Sequence, residues 1–122
     1  MKSYTDLVQS KKLAEILSLE SADMFLALNG TIPIMSKYID DGYVTADDTA
    51  IPCWSLAALL SVLPMIKKGE DTANPFIAKT PDGEYYTVYA TLTKEVYDSS
   101  MYDNPIDACV AMIENLHELN LL

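Results

Sequence analysis

The chain has 122 residues, half of them hydrophobic, and a formal net charge of −10 from 18 acidic residues and eight lysines. This length and composition predict one folded domain over residues 1–122, with enough apolar residues for a core, rather than a disordered chain. Arginine is absent and the acidic balance would repel phosphates, so we expect no direct binding to nucleic acid.

The acidity favours a basic protein partner, or mimicry of DNA toward a DNA-binding protein, although solubility alone can explain it. The first residues lack the apolar region of a signal peptide, and no apolar run is long enough to cross a bilayer. We therefore expect a cytoplasmic protein that does not contact a membrane.

The first predicted element is a helix over residues 4–17. Ser3 and Asp6 have the spacing of a capping box, with an acid three residues after the cap. We expect the apolar residues that follow at helical spacing to form its buried face: Leu7, Val8, Leu13, Ala14, Ile16 and Leu17.

Residues 18–50 allow two interpretations. Two short apolar runs, at 24–28 and 31–35, flank Asn29-Gly30, and this pattern favours a β-hairpin because both turn residues tolerate positive φ. Pro33 would then lie on an edge strand. A helix that ends at Asn29-Gly30 is the alternative. Residues 39–50 are predicted to be a loop.

Residues 51–64 hold the only tryptophan and the longest apolar run, and they predict a short buried helix. Either Pro52 lies in its first turn, or Ser55 is its N-cap and the helix covers residues 56–63. Trp54 is predicted to be a core aromatic, with an exposed anchor for a partner as the alternative. The buried face is predicted from four leucines at helical spacing: Leu56, Leu59, Leu60 and Leu63.

A second hairpin is predicted from strands at 76–80 and 84–93 around the turn Pro81-Asp82-Gly83. One face of the longer strand should pack on the helices, and it carries Tyr86, Val88, Ala90 and Leu92. The opposite face should look toward solvent or another layer, and it carries Tyr85, Thr87, Tyr89, Thr91 and Thr93.

Residues 97–103 are predicted to be a polar connection, and a last helix follows. Asn104 is its expected N-cap, with Pro105 at the first helical position and Asp107 at the third. Its buried face should contain Ile106, Cys109, Val110, Ile113, Leu116 and Leu119. The order of elements predicts an α+β fold, with a small antiparallel sheet of hairpins packed against about three helices.

No group of residues forms a recognised catalytic motif. His117 is the only histidine and is predicted to be a surface residue, and Cys53 and Cys109 are predicted to be buried thiols. Asp40-Asp41 and Asp47-Asp48 could hold Ca²⁺ or Mg²⁺, but they lack the EF-hand pattern and a solvated loop is favoured. We therefore expect a protein that is not an enzyme, with no catalytic residues, no cofactor and no metal site.

Tyrosine is the one residue type in excess, with eight copies. Tyrosine is enriched in protein interfaces, because it offers a large contact area at a low entropic cost. We take four tyrosines as a candidate interaction surface: Tyr85, Tyr89, Tyr97 and Tyr102. Coverage of this face by residues 24–35, or by a second copy of the chain in a homo-oligomer, is the alternative.

Three stretches together resemble a group of known proteins. They are Pro52-Cys53-Trp54-Ser55-Leu56 with the leucines up to Pro64, the tyrosine-rich strand, and Asn104-Pro105 with Asp107-Ala108. From Ser21 onward the chain is similar to small uncharacterised proteins encoded by phages, prophages and conjugative elements of gut Bacteroidales bacteria. The resemblance implies a bacterial cytoplasm and a mobile element, and it implies no activity.

These observations lead to three hypotheses about function. The first is a non-enzymatic protein-interaction or regulatory module that binds through an acidic, tyrosine-bearing surface. The second is a DNA mimic that occupies the basic groove of a nucleic-acid-binding protein. The third is a metal-dependent hydrolase that uses the loop aspartates at positions 40–48.

Overall fold

A computed structural model of the chain describes residues 2–27, 32–35 and 51–122. These residues contain three α-helices and two antiparallel sheets, of three and four strands, so the α+β prediction is confirmed. The predicted single sheet is, however, two sheets. The chain divides into two compact units, which are the N-terminal unit, Ser3–Ala58, and the C-terminal unit, Met1–Lys2 with Leu59–Leu122. The prediction of one domain over residues 1–122 stays a prediction.

The first helix, α1, is Leu7–Ile16 and begins three residues later than predicted. Asp6 is its N-cap and forms the capping box with Gln9, with each side chain accepting a hydrogen bond from the other residue's backbone N–H. Ser3 is therefore not the cap. The helix starts late because Tyr4 and Thr5 are extended: Tyr4 forms a β-bridge with Ser55.

Thr5 holds this extended segment in place. Its backbone N–H donates to the carbonyl oxygen of Trp54 at 3.0 Å, and its hydroxyl oxygen accepts from the N–H of Trp54 at 3.0 Å. The Thr5 hydroxyl also shares a hydrogen bond of 2.8 Å with that of Ser10, and both residues are buried. In α1 itself Leu13 is buried as predicted, whereas Val8 is 71% exposed and was wrongly assigned to the buried face.

The N-terminal unit contains the three-stranded sheet, in the order β2-β1-β3. Strand β1 is Met24–Ala27, β2 is Ile32–Met35 and β3 is Ile51–Cys53. The antiparallel pairing of β1 with β2 confirms the hairpin, and Pro33 lies on an outer strand of the described sheet. A short 3₁₀ helix, Leu19–Ser21, precedes β1. The predicted turn at Asn29-Gly30 and the predicted loop at 39–50 lie outside the described residues.

Residues 51–53 are a strand, which corrects the prediction that the central helix begins there. They pair with β1, with Cys53 opposite Met24. Trp54 follows and is completely buried, which confirms it as a core aromatic. Its indole N–H donates to the hydroxyl oxygen of Ser21 at 2.9 Å, so the polar end of the ring has a partner.

The central helix, α2, is Leu56–Val62. Ser55 is its N-cap, as the alternative prediction had it, because the Ser55 hydroxyl oxygen accepts from the N–H of Ala58 at 3.3 Å. Asp23 holds this cap in turn: its carboxylate accepts from the backbone N–H of Ser55 at 2.9 Å and from the Ser55 hydroxyl. The boundary between the two units falls inside α2, between Ala58 and Leu59.

The buried face of α2 differs from the leucine pattern. Leu59 and Leu63 are buried, together with Ala58, but Leu60 is 37% exposed and Leu56 is half-buried. Successive helical residues are about 100° apart, so a narrow contact centred on Leu59 and Leu63 leaves Leu60 at its margin. The prediction that all four leucines form the buried face is therefore wrong for Leu60.

The C-terminal unit contains the four-stranded sheet, in the order β4-β5-β6-β7. Strand β4 is Ile66–Lys68, β5 is Asp71–Lys79, β6 is Tyr85–Ala90 and β7 is Glu95–Asp98. The pairing of β5 with β6 confirms the second hairpin, and Gly83 in its turn has a φ of +84°. Strand β6 ends at Ala90, earlier than predicted, because the chain turns back where Thr91 N–H donates to the Lys94 carbonyl oxygen at 2.9 Å.

The last helix, α3, is Pro105–Glu118 and begins as predicted. The Asn104 side-chain oxygen accepts from the N–H of Asp107 at 2.9 Å, and its amide donates to the carboxylates of Asp103 and Asp107, each at 2.8 Å. Lys2 forms an ion pair with Asp107 at 2.8 Å. The predicted buried face is confirmed except for Leu119, which is 52% exposed. No helix of the described residues is long and apolar enough to span a membrane.

Candidate binding groove between β7 and α3

The four candidate tyrosines do not share one exposed surface. Tyr85, Tyr97 and Tyr102 are half-buried, whereas Tyr89 is completely buried. Tyr85 and Tyr102 form a β-bridge through two backbone hydrogen bonds of 2.7 and 2.8 Å. Tyr97 belongs to β7, so the predicted polar connection at 97–103 begins with a strand. Whether Tyr85, Tyr97 and Tyr102 contact a partner stays a prediction.

Tyr89 was predicted to face solvent or another layer, and it lies in the core of the C-terminal unit. Its hydroxyl donates to the carbonyl oxygen of Pro64 at 2.6 Å, and its ring meets that of Tyr97 edge to face, with centroids 6.5 Å apart. Burial raises the pKa of the Tyr89 hydroxyl above its ordinary value. Tyr89 therefore cannot contribute to an exposed interaction surface.

Strand β6 packs on α3 through the face that was predicted to look away from the helices. Thr87 lies on the same face as Tyr89, two residues away, and its side chain lies beside the thiol of Cys109 on α3. Thr87, Val88 and Tyr89 are all completely buried. Threonine and tyrosine look polar in a sequence pattern, but each carries enough apolar surface to pack against a helix.

Strand β7 is the outermost strand of the described four-stranded sheet. It pairs antiparallel with β6, with Tyr97 opposite Tyr89, and the register shifts between Tyr89 and Ala90. The shift leaves Val96 of β7 as the extra residue, just after the tight turn at Thr91–Lys94. Ser99 extends the pairing, since its N–H donates to the Thr87 carbonyl oxygen at 2.8 Å and its hydroxyl oxygen accepts from the Thr87 N–H at 2.9 Å.

A groove separates β7 from the second half of α3, and it encloses a cavity of about 550 Å³. We call it the β7–α3 groove. Val96 and the exposed Leu119 supply apolar surface, whereas Met112 and Leu116 lie behind the lining and are completely buried. The remaining lining residues are polar or aromatic: Glu95, Tyr97, Asp98, Asn115 and Glu118.

The charge in the groove is uneven. Three exposed acidic residues are among its lining, namely Glu95, Asp98 and Glu118. Asp98 is paired with Val88, so its side chain leaves β7 on the face opposite to that of Tyr97. A smaller neighbouring cavity, of about 240 Å³, shares Glu95 and Val96 with the groove and is otherwise lined by Lys68 and Lys94. The ammonium of Lys68 also lies 4.7 Å from the centre of the Tyr97 ring, in a cation–π contact. Positive charge therefore offsets Glu95, while Asp98 and Glu118 have no lysine among the lining residues.

Both cysteines are buried free thiols, as predicted. Burial raises the pKa of the Cys53 thiol to about 12, with a smaller contribution from the negative charge of Asp23. Burial also raises the pKa of the Cys109 thiol to about 11, and the neighbouring Thr87 side chain partly opposes this rise. Neither thiol is a reactive nucleophile near neutral pH, because the thiolate is the reactive form.

The other residues considered for chemistry show no grouping in the part of the chain that the structure describes. His117 is exposed in the last turn of α3, where the sequence placed it. Residues 2–27, 32–35 and 51–122 contain no cluster of three metal-ligating side chains. Asp40-Asp41 and Asp47-Asp48 lie outside the described residues, so the predicted solvated loop and its alternative, a metal site, both stay untested.

Sequence reasoning missed the β7–α3 groove, although one signal for it exists. Val96-Tyr97 is a β-branched and aromatic pair, and Thr91 to Lys94 is a turn of the length that joins hairpin strands. Together they indicate a further strand after the second hairpin. The sequence could not place Glu118 and Asp98 on the same groove, since they are 20 residues apart and come to line one cavity only when α3 packs on the sheet.

Comparisons with known proteins were made at three levels, with models of protein families, with curated proteins and with solved structures. No family model, curated protein or solved structure matches the chain.

Proposed function

We propose that this protein is a non-enzymatic protein-interaction module, and that the β7–α3 groove is where its partner binds. The observation that carries the proposal is the groove itself. It combines the exposed Leu119 and the half-buried Val96 and Tyr97 with exposed acidic residues among its lining. An apolar centre with a polar rim is typical of protein-binding sites.

Tyr97 and Leu119 add to this argument. Tyr97 is the one candidate interaction residue that lines the groove, and it is held by its edge-to-face contact with Tyr89. Leu119 is a large apolar side chain that is 52% exposed beside the groove. A rigid aromatic next to an exposed aliphatic residue is the kind of pair that anchors an interface.

The cellular location of the protein and its genetic context are also proposals. The resemblance to small proteins of Bacteroidales phages, prophages and conjugative elements supports a role in a bacterial mobile element, in the cytoplasm of the host. The acidic composition supports a basic protein partner over nucleic acid. A DNA mimic and a metal-dependent hydrolase that uses the aspartates at 40–48 stay alternative predictions.

A capture experiment with matched variants tests the proposal. The wild-type protein and a Leu119→Gln variant are immobilised and exposed to a lysate of a Bacteroidales host, and bound proteins are quantified by mass spectrometry. Leu92→Gln is the control, because Leu92 is fully exposed in the β6–β7 turn and does not line the groove. Both substitutions replace an exposed leucine by the same neutral residue.

We expect at least one protein to be retained by the wild type and by Leu92→Gln, and to be lost from Leu119→Gln. Proteins that bind all three equally would show that the partner uses another surface. Capture of no protein above background by the wild type would contradict the interaction function.

A further inference from the structure

We propose that this protein forms a two-fold symmetric dimer, in which strand β5 of one copy pairs antiparallel with β5 of a second copy along its uncovered edge. The four-stranded sheets of the two copies would then form one continuous sheet across the interface. This inference goes beyond the proposed function, since the dimer uses the side of the sheet away from β7 and leaves the β7–α3 groove free.

Strand β5 is only partly covered on the side away from β6. Strand β4 pairs with residues 71–73, so residues 74–79 of β5 pair with β6 alone in the part of the chain that the structure describes. An uncovered sheet edge presents a row of unpaired N–H and C=O groups, which a further strand can join.

The hydrogen bonds of β6 show which backbone groups of β5 point outward. Thr87 bonds on the β7 side, because its carbonyl oxygen accepts from the N–H of Ser99. The direction of these bonds alternates along an antiparallel strand, so Val88 bonds to β5, where it lies opposite Phe76. Phe76 therefore directs its backbone groups to β6, and its neighbour Ile77 directs its own groups outward.

Three residues of β5 line the free edge by this alternation: Pro75, Ile77 and Lys79. Ile77 and Lys79 each present an N–H and a carbonyl oxygen, whereas Pro75 presents only its carbonyl oxygen because proline has no N–H. Proline is tolerated within a sheet where the missing N–H would face away from the neighbouring strand. The position of Pro75 therefore agrees independently with the outward direction of these groups.

One two-fold register makes the best use of this edge. With Ile77 opposite Ile77 of the second copy, the two isoleucines exchange both backbone hydrogen bonds. Each Lys79 then lies opposite Pro75 of the other copy, and its N–H donates to the proline carbonyl oxygen. The position without a donor is thus matched to one that has a donor, so the edge is complementary to itself.

Other registers are poorer. The smallest shift that keeps outward groups opposite each other is two residues. A shift in one direction places Lys79 opposite Ala73, which β4 already covers, and the bonds of Lys79 are lost. A shift in the other direction places the two Lys79 side chains diagonally on one face, where like charges repel.

The side chains also fit in the favoured register. Phe76 is 47% exposed, and it would lie opposite the small Ala78 of the second copy. On the other face the two Ile77 side chains would meet, and cross-strand pairs of β-branched residues stabilise a sheet. Residues 74–79 carry no acidic side chain and one cation, Lys79, so this edge suits a second copy of an acidic chain.

The other side of the sheet is protected, which singles out β5. Strand β7 carries the exposed Glu95 and Asp98, and the extra residue Val96 interrupts its pairing with β6. Charges and bulges of this kind protect edge strands from pairing with other chains. Residues 74–79 have a continuous register with β6, and Pro75 and Lys79 restrict the registers of pairing without conflicting in the favoured one.

Sedimentation equilibrium with matched variants tests the dimer. The mass is measured from about 1 to about 300 μM, a range that covers the dissociation constants of weak interfaces. Phe76→Lys brings two lysines close together across the two-fold axis. Leu92→Lys is the control, because Leu92 is fully exposed in the β6–β7 turn and the variant also exchanges an apolar side chain for a cation. Circular dichroism verifies that both variants are folded.

We expect the mass of the wild type to approach twice the 13.5 kDa of one chain as the concentration rises. Phe76→Lys should raise the dissociation constant about tenfold or more, and Leu92→Lys should change it about twofold or less. A wild type that stays monomeric throughout would overturn the dimer and leave the edge to a strand of another protein. A dimer that both variants weaken equally, or that neither weakens, would overturn it too, because the copies would then meet on another surface.

A disulfide tests the register separately. Residues that exchange hydrogen bonds in an antiparallel pair have Cα atoms about 5.5 Å apart, which a disulfide can span. We expect Ile77→Cys to form a covalent dimer under mild oxidation, and Lys79→Cys, whose Cα atoms would be about 14 Å apart, to form none. The native thiols do not interfere, because both are buried. A covalent dimer of Lys79→Cys, or the absence of one with Ile77→Cys, would overturn the proposed pairing.

Discussion

Two adjacent leucines of α2 provide a sharp test of the packing, because they differ in burial. Leu59 is 0% exposed and Leu60 is 37% exposed. We expect Leu59→Ala to lower the free energy of unfolding much more than Leu60→Ala does. The substitutions remove the same atoms from neighbouring positions of one helix, so each is the matched control of the other.

The expected magnitudes follow from burial. Each substitution removes three carbons, and full burial of one carbon is worth about 0.8 kcal/mol. At Leu59 the lost burial and the cavity left behind together should cost about 3–4 kcal/mol. At Leu60 water fills the vacated space, so no cavity remains and the cost should be about 1 kcal/mol. The gain in helix propensity from alanine is small and similar at both positions.

Urea unfolding followed by far-ultraviolet circular dichroism measures this difference. With an m value near 2 kcal/mol/M, the midpoint should fall by about 1.5–2 M for Leu59→Ala and by about 0.5 M for Leu60→Ala. Equal losses, or a larger loss at Leu60, would refute the described packing of α2. The leucine spacing would then be the better guide to its buried face, and all four leucines would belong to it.

Four further predictions concern the C-terminal unit and the thiols. Asn104→Ala should lower the free energy of unfolding by about 1–2 kcal/mol, because α3 loses its N-cap; an unchanged urea midpoint would show that the cap contributes nothing. Tyr89→Phe should cost about 1–2 kcal/mol by leaving the Pro64 carbonyl oxygen without its donor, whereas an unchanged midpoint would mean that water replaces the hydroxyl. Cys53 and Cys109 should react with a disulfide reagent at pH 8 only after unfolding, and rapid reaction of the folded protein would contradict their burial. Folding raises the thiol pKa from 9.0 to about 12 for Cys53 and to about 11 for Cys109, so the unfolded state loses these protons first as the pH rises. The free energy of unfolding, measured by urea unfolding at several pH values, should therefore fall as the pH rises above about 9.

The ends of the helices show what local sequence can predict. The start of α3 is confirmed because its signals are adjacent in the chain, with the cap, the proline and the acid within four residues. The start of α1 is wrong for a reason that no local pattern contains. Thr5 is drawn into hydrogen bonds with Trp54, 49 residues away, and the cap moves to Asp6. Tertiary contacts overrode a capping box that has the right spacing.

The strands show a different limit. Alternation correctly separated Thr87 and Tyr89 from Val88, but it could not say which face meets a helix. All three residues are completely buried. Strand alternation identifies the buried face only when the other face is exposed, and β6 lacks that difference. The β7–α3 groove could not be predicted for a related reason, since its lining residues from β7 and α3 come together only after the sheet and α3 have packed.

Trp54 and the tyrosines allow the two units to be followed separately by spectroscopy. The single tryptophan lies in the N-terminal unit, sealed from water and hydrogen-bonded through its indole, so its emission should be blue-shifted and should report on that unit alone. Five of the eight tyrosines lie in the C-terminal unit, and fluorine labels on them would follow its melting by NMR. Coincident curves from the two probes would mean that the whole chain melts cooperatively, and separate curves would mean that one half can lose its structure while the other remains folded.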